Sequence, residues 1–489
     1  MKTRLFRGTT IAMAFVGVLL LVGCGGGPTS SVPDPPASST ASSSSAQDAL
    51  LTGTYTFAVA DKGCNCRFSA AGSFHADGSG NITSGVIDMN NENVVQTAVA
   101  VSGTYNVGTD HRGTATLKSA TASLIFRFVV VNAKRAFMIG FDTHQNASGV
   151  MELQDSSAFS NSALAGAFTF RVFGIDAFGE PVQIGGILTA DGNGGISSGI
   201  ADVNDNALVS TQLSVQNGTL ALGAANGRGT AAITTPNGTT NLAFYVVDAN
   251  HLKLIGTDAA PVLMGDAYRQ DPTQILNGAF AFTLFGLSSA QPNPFAAGGV
   301  FTGNGNGNIS SGFVDTNING AVNQNTPLMG TYALQGNGRG VLTLHTATTV
   351  MSFAMYPSLA GIQLVEIDTG QVSGGMAFAQ QEATFSTTSL NGNFAFSAAG
   401  FAGDNSDALA VFSLDGKGNV SGTADLNSVG SPQPGLPLNG TYSFSGNSGA
   451  AVLTTPVNTA NLALYPVSSS HVLTLSLDSN TVMVGSIEQ

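Results

Sequence analysis

Short stretches in which every second residue is apolar run through the chain from about residue 51 onward. Each stretch ends in glycine, asparagine or aspartate. The first reads Leu51-Thr-Gly53-Thr-Tyr55-Thr-Phe57. A period of two is that of a β-strand with one buried and one wet face. The same opener returns as Leu164-Ala-Gly166-Ala-Phe168-Thr-Phe170, Leu276-Asn-Gly278-Ala-Phe280-Ala-Phe282 and Leu390-Asn-Gly392-Asn-Phe394-Ala-Phe396. The four glycines lie 112 to 114 residues apart, and self-similarity at a fixed spacing marks tandem copies of one unit.

Further elements recur within each unit. About 25 residues after the opener comes Asp77-Gly-Ser-Gly-Asn81, then Asp191-Gly-Asn-Gly-Gly195, Asn304-Gly-Asn-Gly-Asn308 and Asp415-Gly-Lys-Gly-Asn419. An apolar strand follows and ends on an acid and an asparagine: Asp88/Asn90, Asp202/Asn204, Asp315/Asn317 and Asp425/Asn427. A Gly-Thr step comes next at Gly103, Gly218, Gly330 and Gly440. Arg-Gly then stands at Arg112, Arg228 and Arg339, with Gly449 in the fourth copy. An alternating strand closes on Asp142, Asp258, Asp368 or Asp478.

In the third copy these patterns predict eight strands, near 280–283, 299–302, 309–315, 331–335, 341–345, 350–356, 362–368 and 376–379. The Asp-Gly-x-Gly segments supply the positive φ angles of tight hairpins. Strands joined by such turns form an antiparallel meander. The expected class is therefore all-β, with four tandem domains that close into small up-and-down barrels and so leave no exposed edge. β-Sandwiches of immunoglobulin size are the alternative. The Gly-x-[Tyr/Phe]-x-Phe opener is loosely similar to that of lipocalin and avidin barrels, without their usual tryptophan, and the resemblance implies the same closed-barrel fold.

The N-terminus carries a different signal. Lys2, Arg4 and Arg7 precede the apolar run 11–22, which is short for a membrane span and suits an export signal. It ends in Leu21-Val22-Gly23-Cys24, which resembles the lipobox of bacterial lipoproteins. The resemblance implies cleavage before Cys24 and diacylglycerol on its thiol, with a further chain on the amine. Several chains are what stable anchoring requires. Gly25 stands where aspartate would signal inner-membrane retention, so the outer membrane or cell surface is the implied location. Residues 24–48, rich in serine and proline, read as a tether of roughly 25–30 Å as a flexible coil. The domain plan is then 1–23 signal, 24–48 tether and repeats at 49–155, 162–270, 274–381 and 388–489.

Composition narrows the function classes. Only 9% of residues are charged, against about 25% in ordinary globular proteins. The net charge is −13, and removal of the basic signal makes the rest more acidic still. A nucleic-acid partner needs a basic patch, and none is present. The expected partners are the membrane, through acyl chains on Cys24, and other envelope or extracellular proteins or glycans.

No residue set reads as catalytic. Six scattered histidines give neither metal spacing nor a Ser-His-Asp set. Gly195-Ile-Ser-Ser-Gly199 matches Gly-x-Ser-x-Gly but falls in a hairpin rather than on a strand-turn-helix elbow. No cofactor is expected, with calcium as the one alternative. Asp77, Asp88, Asp191, Asp202, Asp315, Asp415 and Asp425 offer the oxygen ligands that calcium takes, although turn chemistry alone accounts for the pattern. Arg112, Arg228 and Arg339 are read as solvated hairpin tips or partners of a nearby acid. Cys64 and Cys66, in Gly-Cys-Asn-Cys of the first copy alone, could bridge in an oxidising compartment. The leading expectation is a non-catalytic structural or interaction array. The alternatives are a carrier holding an apolar ligand inside each barrel, and a hydrolase.

Overall fold

The computed structural model describes residues 47–61, 68–143, 146–223, 226–288, 293–428 and 431–489. Cys24, Cys64 and Cys66, with the signal segment and nearly all of the tether, lie outside the described residues. The first repeat contributes β1 (Thr52–Ala60), β2 (Phe68–Asp77), β3 (Asn81–Asn91), β4 (Val94–Val107), β5 (Arg112–Lys118), β6 (Ser123–Asn132), β7 (Arg135–Gly140) and β8 (Ser148–Leu153). Each strand pairs with the next, and β8 returns to β1 with Met151 opposite Phe57, so the sheet closes. The other repeats copy this plan, from Gly166–Ile175 to Val262–Arg269, from Asn277–Ser288 to Gln371–Ala379 and from Asn391–Phe401 to Val482–Glu488. All four are closed antiparallel eight-stranded barrels, and the sandwich alternative falls away.

A recurring glycine makes the closure possible. Gly149, Gly265, Gly375 and Gly485 occupy the same place in the eighth strand, opposite Val59, Val172, Leu284 and Ala398. A Cβ at these glycines would come within 1.8 to 2.3 Å of a first-strand carbonyl oxygen. Only a residue without a side chain lets the two strands approach this closely.

Each barrel interior is packed with its own side chains. Phe57, Phe74, Phe126 and Phe128 fill the first, and Phe280, Phe282, Phe301 and Phe353 fill the third. Aromatic contacts such as Phe57 of β1 on Phe126 of β6, at 5.8 Å, link strands that are not neighbours in the sheet across the interior. The core begins just before the first strand, where the buried Asp48 carboxylate accepts from the Val107 amide at 2.7 Å.

The expectation of one wet face per strand holds only for part of each barrel. β5 alternates, but β1, β2 and β7 are buried almost throughout. Their outward faces are covered by neighbouring barrels. Ala58, Ala71 and Val86 of the first repeat pack on Ala243, Tyr245 and Ile255 of the second. Ile187 and Ile200 of the second meet Ala354, Tyr356 and Val365 of the third. Ala281, Ala296 and Val300 of the third meet Ala463, Tyr465 and Leu475 of the fourth. Ala395 and Leu409 of the fourth then meet Val129, Phe137 and Ile139 of the first. The head-to-tail contact thus repeats four times and closes on itself, so the barrels form a ring with pseudo-fourfold order.

One strand was invisible to the alternation pattern. In the third repeat Ala321–Pro327 extends the strand containing 331–334 outward, and its polar, mostly exposed residues carry no apolar signal. At its centre is a bulge that all four repeats share. Ala98, Gln212, Asn325 and Gly435 adopt φ of 52°, 55°, 52° and 69°, and the pairing register slips beside the recurrent aspartate. No atom lies within 4 Å of where a Cβ on Gly435 would stand, so the cost of a side chain there is conformational alone. Gly435→Ala is expected to lower stability by about 1 kcal/mol, and Ala98→Gly to raise it by up to about 1 kcal/mol, both read from urea unfolding midpoints.

Candidate functional site

The bulge exists to aim an amide. In each repeat the residue ten positions after the recurrent aspartate donates its backbone N–H to that aspartate's Oδ1. Ala98 reaches Asp88 at 2.9 Å, Gln212 reaches Asp202 at 3.0 Å, Asn325 reaches Asp315 at 2.5 Å and Gly435 reaches Asp425 at 2.7 Å. All four carboxylates are buried, and a buried carboxylate needs further donors. Those donors come from the next barrel.

At the first junction Arg228 grips Asp88 with two hydrogen bonds of 2.7 Å, and the Tyr245 hydroxyl adds a third at 2.5 Å. At the second, Arg339 holds Asp202 at 2.7 and 2.8 Å, and Tyr356 donates to the same carboxylate. At the third, Gly449 replaces the arginine and Tyr465 alone donates to Asp315, at 2.6 Å. At the fourth, Val129 stands where the tyrosine would be, and Arg112 of the first repeat donates to Asp425 at 2.8 Å. Burial, reinforced by the facing aspartate, pushes the hydroxyls of Tyr245, Tyr356 and Tyr465 well above the usual tyrosine range, so they remain donors.

The recurrent asparagine works beside the acid. Asn90 donates to the Asp258 carbonyl at 2.9 Å, Asn204 to Glu366 at 3.0 Å, Asn317 to Ser476 at 3.0 Å and Asn427 to Gly140 at 2.8 Å. Each of these carbonyls belongs to the next barrel in the ring. The Asp/Asn pairs and the Arg-Gly turns are therefore two halves of one inter-barrel latch. The arginines do pair with an acid, as the sequence suggested: Arg112 holds the nearby Asp110 at 2.8 Å, and all three also reach an acid of the preceding barrel in the ring, 137 to 313 residues away in the chain.

The remaining aspartates of the set sit in the Asp-Gly turns. Asp77 accepts from the amides of Ser79 and Asn81, Asp191 from Asn193 and Gly195, and Asp415 from Lys417 and Asn419. Asn304 makes the same two bonds in the third repeat, so a neutral side chain serves equally well. These bonds hold each turn's two glycines at positive φ. The structure thus divides the seven aspartates between exposed turns and buried junctions.

Where the four barrels meet they leave a chamber of about 610 Å³, lined by residues of every repeat. It lies between the barrels and not inside one. Charged groups that no motif had singled out form a chain along one side. Arg135 donates to Glu488 of the fourth repeat at 2.7 Å and to Glu152 at 2.7 Å. Glu152 meets Lys253 of the second repeat at 2.7 Å. His251 meets Asp266 at 2.8 Å and stacks on Tyr268 at 4.4 Å. Burial alone would raise the Glu152 carboxyl, but Lys253, His251 and Arg135 outweigh it and hold it well below the usual range. Burial likewise opposes the charge on Arg135, and Glu488 and Glu152 override it and push that guanidinium up.

Arg171 is the exception on this wall. Its Nη1 donates at 3.3 Å to the neutral Gln183 side chain, and its Nε–H makes no hydrogen bond. Burial pulls its pKa down, and Asp266 and Tyr268 do not offset that. The third repeat contributes the opposite character, with Leu284, Phe285, Met376 and Phe378 facing the chamber. Phe378 stands where the other repeats carry Glu152, Tyr268 and Glu488. In a chain this poor in charge, ionisable residues that break the repeat pattern were the signal for this site.

No protein-family model matches the chain, and no curated protein sequence does. Among solved structures, it aligns with isotype 1 transferrin binding protein B from serogroup B Neisseria meningitidis, at 10% identity and a TM-score of 0.20, covering 72% of this chain and 83% of that one. It also aligns with intact Ap-TbpB, comprising N and C lobes, at 10% identity and a TM-score of 0.19, covering 90% and 95%. Superpositions this weak carry no argument about arrangement or function.

The latches differ in redundancy, which sets an order of sensitivity. Tyr465→Phe leaves Asp315 with one backbone amide, and is expected to cost about 2–3 kcal/mol. Tyr245→Phe leaves Asp88 its two-pronged arginine, and should cost about 1 kcal/mol. Paired chemical-denaturation curves check the ranking.

Proposed function

We propose that this chain is a non-catalytic, lipid-anchored protein of the cell envelope whose four barrels form one binding body for a small ligand. The observation that carries the reading is the chamber on the ring axis. Its volume falls within the range of about 300–1,000 Å³ typical of small-molecule sites, and it combines apolar walls with a few polar groups. The lipobox ending at Cys24 supports an exported, acylated protein at the outer membrane or cell surface, and the serine- and proline-rich segment supports a spacer between lipid and ring.

The geometry favours this over two neighbouring readings. A carrier with its ligand inside each barrel requires hollow barrels, and Phe57, Phe74, Phe126 and Phe128 occupy that space in the first. A string of independent adhesive modules requires equivalent free faces on every copy. Here the outward faces of the first three and last three strands are spent on the junctions. Protein or glycan partners would engage the outer hairpins that remain. His251 lies between Glu152 at 3.5 Å and Asp266 at 2.8 Å and stacks on Tyr268, a structural setting and not that of a base awaiting a substrate.

Titration with the fluorescent amphiphile 1-anilinonaphthalene-8-sulfonate tests the reading. One saturable site per chain is expected, abolished by Met376→Trp, which fills the chamber from a partly exposed position, with the melting temperature retained. Four sites per chain would return the ligand to the barrels, and no saturable binding would overturn the proposal.

A further inference from the structure

Resting on the chamber reading above, we infer that the ligand is an amphiphile with one anionic head. The head sits on Arg171 and Gln183, and the tail lies on the apolar wall of the third repeat.

The charges themselves point to the head's sign. Arg135 is matched by Glu152 and Glu488, and Lys253 by Glu152 and by Asp266 at 3.7 Å. Arg171 is the chamber cation whose hydrogen bonding is incomplete, with one long bond to a neutral amide and an idle Nε–H. Its cross-strand neighbour Asp266 acts on it only at longer range, and no carboxylate among the described residues lies within ion-pair distance of it, so the guanidinium fork is an open bidentate site. The equivalent positions in the other repeats are Ala58, Thr283 and Ser397, so neither the barrel fold nor the latch explains the arginine. Its guanidinium lies over the ring of Phe173, 5.5 Å from the centroid.

The tail follows from proximity. Arg171 reaches across the second junction until its Nη1 lies 3.3 Å from where a Cβ on Gly374 would stand. Gly374 pairs with Phe285, and its neighbour Gly375 pairs with Leu284. Met376 and Phe378 continue the same strand along the chamber. Head site and apolar wall are therefore contiguous, and glycine at 374 lets Gln183 and Arg171 pack directly against that strand. A neutral apolar ligand would leave the Arg171 fork unpaired. A cationic one would meet it directly.

The chain contains no tryptophan, so Phe378→Trp places a background-free reporter on the proposed tail wall. Its emission is followed while the full chain is titrated with decanoate, decanol and decyltrimethylammonium. Decanoate is expected to bind at least tenfold more tightly than the other two. Arg171→Gln, and separately Gln183→Glu, should erase that preference, bringing decanoate affinity down at least tenfold relative to decanol. Equal affinities for all three amphiphiles, or a preference that survives both substitutions, would overturn the head assignment and leave the chamber reading standing. No response to any of the three would overturn both.

Discussion

A buried carboxylate shared between two barrels is the interaction on which this molecule depends. Asp88, Asp202, Asp315 and Asp425 are each withdrawn from water, and none is satisfied within its own barrel. A local bulge supplies one amide, and the rest must come from an arginine or tyrosine of the next repeat. Desolvating an acid costs several kcal/mol unless donors are already in place. Each aspartate therefore penalises any arrangement in which its neighbour is displaced. Small apolar residues around it, such as Ala58, Ala71 and Ala243, allow close approach, and the latch decides which approach is accepted.

Because the latch joins the front of one barrel to the back of the next, four copies return to the start, and Arg112 completes the circuit at Asp425. Closure changes what the repeats are for. Their shared residues build turns, seams and junctions. The residues that differ between repeats gather where the four copies converge. A ring of near-identical scaffolds thereby encloses an unlike set of groups, ionic along the first, second and fourth repeats and apolar along the third. The asymmetry resides in side chains at equivalent positions, with Glu152, Tyr268, Phe378 and Glu488 as one such set.

Much of the architecture could be read from the chain. The openers ending in Phe57, Phe170, Phe282 and Phe396, the Asp-Gly-x-Gly turns and the constant spacing identified four β-meanders. The strand at 321–327 was lost because its residues are polar and outward. The junctions were lost for a different reason. Periodicity reports burial within one barrel, whereas Val129, Tyr245, Tyr356 and Tyr465 are buried by another. Asp88 and Arg228 each recur along the chain, yet nothing in a linear spacing of 140 residues says that they touch. The chamber was least legible, since Arg135, Glu152, Lys253 and Arg171 belong to no motif and meet only when the ring is closed. The lipobox lies beyond the described residues and rests on Cys24 and its flanks alone.

Coupling through the latches makes the four barrels one thermodynamic unit, and scanning calorimetry of the full chain measures that coupling. A single transition, with calorimetric and van't Hoff enthalpies in agreement, is the result expected of a latched ring. Resolved transitions, or a calorimetric enthalpy about four times the van't Hoff value, would show that the barrels unfold separately and would contradict it.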